Sequence, residues 1–317
     1  MGEKDIAEKS LEAYNDVFSD IVNVLLFGGR SVVQEDDLTD APVPSQYKAD
    51  SGKLHEQVRD VAKYWMNDRV RLCLYGLENQ TAIDTDIPLR VMGYDGAAYR
   101  SQLLDKPSKD GERNPRYPVV TLVLYFGMGR WNRPKSLSEC VEIPRELEKW
   151  FSDYKVNVFE IAWLSPETVA KFKSDFRIVA DYFVQLRTNK DYKPGNEVIR
   201  HVHETLQLLS VLANDRRFGL DMDAMTEVRE KGGATMCEVL DRIEQRGISI
   251  GEQRGISIGE RMGEQRGISI GKKEGISIGQ NRVVELFSRL KEQGRMDDIS
   301  RALSDREYLE ELLGESE

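Results

Sequence analysis

Apolar and polar positions along the first 215 residues follow two different periods. Residues 5–27 carry apolar side chains three or four positions apart, which predicts a helix that ends at Gly28 and Gly29. Residues 69–80 alternate instead, which predicts a strand, and residues 118–127 are almost continuously apolar. A run of that kind is typical of a strand at the centre of a covered sheet.

The remaining segments of this region give a mixture of helices, strands and loops. Residues 54–66 mix apolar and charged positions, and their pattern leaves strand and helix both open. The other assignments are a loop over 34–50, a turn over 84–88, a helix over 89–104, a strand over 156–163 and a mainly helical region over 165–213. We therefore predict an α/β fold, a mixed sheet flanked by helices.

The last third of the chain is built on a short repeat. Glycine occupies every fourth position from Gly247 to Gly279, and the tetrads GISI and GEQR alternate with variants. In a helix these glycines form a slowly turning stripe that lets another helix approach closely. The alternating Ile-Ser-Ile triplets leave a β-solenoid-like array as the rival interpretation. We favour a long helix, because residues 280–313 continue with helical spacing.

Interior glycines make such a helix unstable by itself. Each one costs about 1 kcal/mol relative to alanine in a helix interior. The repeat therefore predicts a packing partner, and we expect the chain to form a homo-oligomer through it. The repeat by itself is also compatible with a protein whose function is to act as an oligomerisation scaffold, and no other feature of the sequence supports that function.

Composition and charge narrow the functional classes. The chain has a formal net charge of −10, and no stretch reaches the roughly 18 apolar residues of a membrane span. The first residues lack an apolar signal core, and the three cysteines are far apart and have no metal-ligand spacing. These features predict a cytoplasmic protein with no membrane partner.

One segment departs from the acidic average. Residues 100–135 contain eight bases and three acids, which is compatible with binding a polyanion at one face or with a solvated loop. Trp131, between Arg130 and Arg133, would stack on a base or belong to the margin of the core.

Two acidic positions are candidates for metal chemistry. Glu78 and Gln80 are two residues apart at the end of a predicted strand, so their side chains project from the same face. If Asp60 comes from a neighbouring element, two carboxylates meet beside an amide, and hard oxygen ligands of this kind suit Mg²⁺. By spacing and composition alone, a solvated strand end is the favoured explanation. Asp84 and Asp86 fit turn or capping roles better than a metal role.

Four segments in order resemble the PD-(D/E)XK nuclease superfamily, in its recombination-promoting nuclease (Rpn) and putative transposase branch. They cover roughly residues 10–215. The segments are Asn15-Asp16-Val17-Phe18, Arg59–Trp65, LYGLENQTAIDTDIPLRVMGYDGAAYR at 74–100 and PVVTLVLYFG at 118–127. The resemblance implies a restriction-endonuclease-like fold and a metal-dependent DNA endonuclease with a role in recombination or mobile elements.

The resemblance also implies roles for individual residues. Asp60 and Glu78 would bind Mg²⁺ or Mn²⁺, and Gln80 stands where the superfamily's catalytic lysine normally lies. Asp16 would be an accessory acid. Arg90 and Tyr94, one turn apart on the following helix, would contact phosphate, or Arg90 would lie on a rim and Tyr94 in the core. Glutamine carries no positive charge, so it would stabilise the transition state less than lysine.

A second functional class stays open for this reason. The alternative is a catalytically weak nuclease fold that binds DNA or a protein and oligomerises through its C-terminal repeat. The domain organisation we expect is a nuclease-like domain over 1–215, a helical connector over 216–246, the repeat over 247–279 and a helical segment over 280–317.

Overall fold

The computed structural model describes residues 11–42, 44–48, 54–104, 115–213, 218 and 234–314; for 44–48, 54–58 and 234 it describes the backbone alone. By its internal contacts the chain divides into two units, residues 1–243 and 244–317. Among the described residues, no helix combines the length and apolar character needed to cross a membrane.

Within the described residues of the first unit, five strands form one mixed sheet. In all, the described residues contain nine strands: β1 (Leu38–Asp40), β2 (Pro44–Lys48), β3 (Leu54–Val58), β4 (Val61–Asn67), β5 (Val70–Gln80), β6 (Val119–Tyr125), β7 (Asn157–Glu160), β8 (Val198–Ile199) and β9 (Ala234–Thr235). The order in the large sheet is β1-β4-β5-β6-β7, while β2–β3 and β8–β9 form separate pairs. β5, β6 and β7 run parallel, and β4 is antiparallel to β1 and β5.

Helices cover both faces of this sheet. The helices of the described residues are α1 (Asn15–Phe27), α2 (Ile87–Leu104), α3 (Pro166–Val169), α4 (Phe176–Asn189), α5 (Val202–Leu212), α6 (Met236–Glu292), α7 (Met296–Ser304) and α8 (Arg306–Gly314), and α7 and α8 belong to the second unit. Leu122 and Leu124 of β6 pack in one core with α1, α4 and α5, whereas Val123 and Tyr125 pack with α2. This alternation follows from the two-residue period of a strand and confirms the predicted α/β class.

The segment from 34 to 66 contains more β-structure than its sequence suggests. The prediction of a loop over 34–50 is wrong, because β1 and β2 lie there. Residues 54–66, which were ambiguous, contain β3 and most of β4. These strands form because antiparallel partners supply their backbone hydrogen bonds, for example Leu38 opposite Trp65, and local propensity does not reveal such a partner.

The predicted helix over 5–27 is shorter than expected in the part that the structure describes. Tyr14 has an extended backbone (φ −69°, ψ 134°), so α1 begins at Asn15. Its end agrees with the prediction, since Gly28 takes a left-handed conformation (φ 67°) and closes the helix. Residues 5–10 lie outside the described residues, as do 105–114, with six charges of the basic segment, and most of the predicted connector.

The glycine repeat lies inside α6, a helix of 57 residues. Every residue from 247 to 279 is exposed, and a Cβ added at any of the nine repeat glycines would meet open space. After the repeat, the end of α6 packs with α7 and α8 around Leu286, Leu290, Ala302 and Leu312. Within the second unit, the repeat therefore has no packing of its own.

A network of buried polar side chains holds α2 against the sheet. Arg59, which precedes β4, donates from Nη2 to Asp95 Oδ1, and both side chains are at most 3% exposed. Asp95 also accepts from Thr121 Oγ1 of β6 at 2.6 Å and from the Tyr154 hydroxyl. Burial lowers the pKa of Arg59, and the charge of Asp95 offsets part of this shift. The network thus depends on both charges remaining together.

We expect Asp95→Ala to cost about 3–5 kcal/mol of unfolding free energy, because it leaves the Arg59 guanidinium buried without its counter-charge. Urea denaturation followed by tryptophan fluorescence measures this loss, since all four tryptophans lie in the first unit. The double variant Arg59→Met/Asp95→Leu should recover much of the stability, because replacing both charges by apolar groups removes the desolvation penalty.

The matched control is the exposed ion pair between Arg177 and Glu197, 2.9 Å apart. Glu197→Ala should leave the unfolding midpoint almost unchanged, because surface ion pairs contribute little. A double variant that is as unstable as Asp95→Ala would mean that the buried pair stabilises by something other than its charges.

Candidate active site

The carboxyl ends of the three parallel strands meet at one edge of the sheet. β5 ends in Glu78, Asn79 and Gln80, and Glu78 and Gln80 lie beside Val123 and Tyr125 of β6 in the parallel register. Val123 and Tyr125 face α2, so the strand period directs the Glu78 and Gln80 side chains to the same face. Ligand sites in open α/β sheets commonly form at this edge.

Asp60 reaches the same place from the antiparallel side. The ladder between β4 and β5 ends with Val61 opposite Leu77, so Asp60 and Glu78 are the next residues along the two chains. The Asn79 backbone N–H donates to Asp60 Oδ2 at 2.7 Å, which ties this carboxylate to the end of β5.

Arg90 connects Glu78 with the loop that follows β5. Its Nη2 donates to Glu78 Oε1 at 2.5 Å and to the Tyr94 hydroxyl at 3.2 Å, and its Nη1 donates to Asp84 Oδ2 at 2.7 Å. Burial by itself lowers the pKa of Arg90, but the hydrogen bond to Asp84 and the charge of Glu78 outweigh burial and raise it. The guanidinium is therefore a permanent cation between two carboxylates.

Tyr94 lies within electrostatic reach of both predicted metal ligands. Its pKa is raised, first by burial and then by the negative charge of Glu78, with a further contribution from Asp60. Arg90 opposes this shift by its hydrogen bond and its charge. The phenol thus stays protonated and neutral beside two acids, as a hydrogen-bond donor.

Glu78 and Gln80 differ in exposure although they share a face. Glu78 is only 2% exposed, whereas Gln80 is half-buried and donates from Nε2 to Glu78 Oε1 at 3.4 Å. The amide and the guanidinium therefore contact the same carboxylate oxygen. A buried carboxylate needs such donors, because an ionised group without them is costly to remove from water.

Asp16 lies apart from this cluster. It begins the first turn of α1, on the opposite face of the sheet, where its carboxylate contacts His201 Nε2 at 3.1 Å and Arg200 at 4.0 Å. The Tyr14 ring stacks on His201 with centroids 3.8 Å apart. Asp16 also lines a polar cavity of about 230 Å³ with Lys173 and Arg200. The structure thus brings together Asp60, Glu78, Gln80, Arg90 and Tyr94, without Asp16.

Trp131 belongs to the core rather than to a stacking surface. It is 6% exposed, packs edge-on against Tyr125 with ring centroids 5.1 Å apart, and donates from Nε1 to the Arg133 carbonyl. Its neighbour Arg130 is exposed, lies over the Trp163 ring and pairs with Glu160 at 3.3 Å. The backbone amide of Trp131 is bound by Glu160 at 2.8 Å, which fixes this loop at the carboxyl end of β7.

Sequence reasoning missed the support beneath the site. Arg59 adjoins Asp60 in the chain, and Asp95 adjoins Tyr94, so the buried ion pair holds two site positions at once. The only local signal was a pair of charges beside candidate residues, and many exposed charges look the same. The role of Gly76 was also missed. A Cβ at this position would lie 3.1 Å from Arg59 Cδ and 3.2 Å from Thr121 Oγ1, so the glycine leaves room for the buried network.

The donor chemistry of the cluster fits a hard cation. Two carboxylates and an amide oxygen are ligands that Mg²⁺ accepts, and this ion keeps several waters and so needs few protein ligands. Among the described residues, no group of three or more His, Cys, Asp and Glu side chains forms a metal-binding cluster. A divalent ion would therefore rest on the pair Asp60 and Glu78, and it would meet Arg90 already bound to Glu78.

Comparison with known proteins gives one match. Residues 72–215 match the family model described as "Putative transposase, YhgA-like". No curated protein and no solved structure matches the chain. The matched range contains Glu78, Gln80, Arg90 and Tyr94, whereas Asp60 lies before it. Residues 72–215 of the chain are therefore similar to the YhgA-like putative transposases, the Rpn/YhgA family of PD-(D/E)XK nuclease-like proteins.

Proposed function

We propose that the chain is a divalent-metal-dependent DNA endonuclease that acts in transposition or recombination. The observation that supports this best is the meeting of Asp60 and Glu78 at the carboxyl end of β5, with Gln80, Arg90 and Tyr94 around them. The family description supports a role in moving DNA. The proposed compartment is the cytoplasm.

Each site residue has a distinct part in the proposed reaction. When bound by Asp60 and Glu78, Mg²⁺ or Mn²⁺ would polarise a water and neutralise charge on the scissile phosphate. The Gln80 amide orients the nucleophile by hydrogen bonding, and Tyr94 donates a hydrogen bond to a phosphate oxygen. Arg90 supplies the positive charge that the superfamily's lysine supplies elsewhere.

The second candidate is a nuclease fold that binds DNA or a protein with little or no cleavage. It is favoured by the ion pair between Arg90 and Glu78, because Arg90 already neutralises the buried carboxylate that a metal would need. Gln80 in place of lysine points the same way. The two candidates differ in one measurable property, metal-dependent cleavage.

Glu78→Gln should lower plasmid cleavage in Mg²⁺ by more than about 100-fold, because a neutral amide is a far poorer ligand for a hard cation than a carboxylate. Asp60→Asn should have a similar effect. Cleavage is followed by conversion of supercoiled plasmid to open-circular and linear DNA, with EDTA as the metal-free reference.

The control for this prediction is Glu197→Gln, which removes an acid of an exposed ion pair in the same unit. It should cleave at the wild-type rate. If wild type and Glu78→Gln cleave equally, the carboxylate has no part in the reaction. If the wild-type protein does not cleave DNA with either Mg²⁺ or Mn²⁺, the second candidate, a nuclease fold that binds without cleaving, replaces the nuclease.

Gln80 should matter through hydrogen bonding. We expect Gln80→Ala to lower the cleavage rate about 10- to 100-fold and Gln80→Lys to retain or raise it, because an ammonium stabilises the phosphorane better than an amide. Single-turnover rates under identical Mg²⁺ give the comparison. Equal rates for Gln80→Ala and wild type would remove position 80 from the mechanism.

We also propose that the partner of the repeat is a second copy of the chain. Eight isoleucines of the repeat are exposed by 37% to 64% on α6. Nine interior glycines weaken that helix by about 1 kcal/mol each relative to alanine. Packing against an identical helix would cover the isoleucines and offset this cost.

Deleting residues 247–279 should therefore lower the molar mass of the particle measured by multi-angle light scattering. Far-ultraviolet circular dichroism of the full chain should also lose helical signal on dilution, as the helix loses its partner. A control deletion of 295–314, which removes α7 and α8 but keeps the repeat, should preserve the assembly. A full-length chain that is monomeric at all concentrations contradicts the proposal.

A further inference from the structure

Arg90 is the residue in the site that can change partners. Its side chain is 38% exposed, whereas the Glu78 side chain is 3% exposed and the Asp84 side chain 26%. The guanidinium therefore lies at the mouth of the site, with the buried carboxylate behind it and a more exposed one beside it. An arginine cannot lose its charge under ordinary conditions, so it leaves a carboxylate by moving and not by deprotonation.

The hydrogen bonds of Arg90 divide between two nitrogens. Nη2 donates to Glu78 and Tyr94, and Nη1 donates to Asp84. Losing the contact with Glu78 would leave Nη1 bound to Asp84, which belongs to the loop between β5 and α2. The Asp84 backbone turn is itself held, because the Asp86 N–H donates to Asp84 Oδ1 at 2.9 Å. Arg90 thus has a second anchor that keeps it near the site.

A guanidinium and a divalent ion at contact distance from Glu78 Oε1 repel each other. A divalent ion bound to that oxygen at about 2.0–2.1 Å would meet Nη2 at the same atom and repel it. The ion and the guanidinium are consequently alternatives for one buried carboxylate. Either one compensates the charge of Glu78, which the low exposure of this residue requires.

From this geometry we propose that Arg90 is the resident counter-ion of Glu78 and competes with the divalent cation for it. Arg90 thereby sets the metal affinity of the site, and metal binding turns its Nη2 from Glu78 to the substrate phosphate. This inference rests on the proposed metal-dependent function. It also assigns Asp84 as the positioning residue that retains Arg90 once Glu78 has been given up.

The test is direct titration of the purified full-length chain with Mn²⁺ by isothermal calorimetry, without DNA. Arg90→Gln removes the guanidinium that competes for Glu78, so it should tighten Mn²⁺ binding about tenfold. This factor corresponds to the free energy of one charge-assisted hydrogen bond. Arg90→Lys keeps a positive charge but cannot bridge two carboxylates, so its effect should be smaller and in the same direction. Arg177→Gln, which breaks the exposed ion pair with Glu197, is the matched control and should bind like wild type.

The outcomes separate the inference from the function on which it rests. Mn²⁺ binding that is lost in Glu78→Gln but equal in wild type, Arg90→Gln and Arg90→Lys overturns the role of Arg90 and leaves the metal site standing. Absence of Mn²⁺ binding in wild type and in both Arg90 variants overturns the metal site as well. If Arg90→Gln does not fold by circular dichroism, unchanged affinity in Arg90→Lys is sufficient to overturn the inference.

Discussion

The buried ion pair between Arg59 and Asp95 is the interaction on which the site depends. Charges removed from water require a counter-charge nearby, so the two residues hold together the elements that carry them. Arg59 precedes β4, Asp95 lies in the middle of α2, and Thr121 of β6 and Tyr154 complete the network. The network therefore holds α2 against β6 and against the residues that precede β4 and β7, and α2 carries Arg90 and Tyr94.

Charge alternates from this network to the mouth of the site. Arg59 feels the charge of Glu78 as well as that of Asp95, Glu78 binds Arg90, and Arg90 binds Asp84. Each charge is compensated by the next, and the exposed fraction rises from 2–3% at the buried pair and Glu78 to 38% at Arg90 and 26% at Asp84. Such an arrangement keeps Glu78 compensated in the absence of any ligand. It also leaves a single exposed member, Arg90, whose movement would admit another cation.

The glycine repeat in the second unit differs from the first unit in how its apolar side chains are arranged. Four residues advance about 400° around a helix, so each repeat glycine lies 40° beyond the last, and nine of them sweep most of the circumference. The exposed isoleucines turn with them, and α6 has no single apolar face over the repeat. A straight partner helix would meet this stripe over a short length, and a longer contact requires the helices to wind around each other. The first unit is stabilised by a core, whereas the repeat residues from 247 to 279 are all exposed.

Local sequence patterns alone determined several strands and helices of the first unit. The strands over 69–80 and 118–127 were predictable because burial imposes a period or an apolar run within a few residues, and the same period placed Glu78 and Gln80 on one face. Tertiary pairing decided the rest. The pairing of β4 with β5 brought Asp60 to the end of β5, and antiparallel partners made strands of a segment that the sequence predicts as a loop. The packing of α2 turned Arg90 toward Glu78 and buried Asp95, because ion pairs across distant segments leave no periodic trace in the sequence.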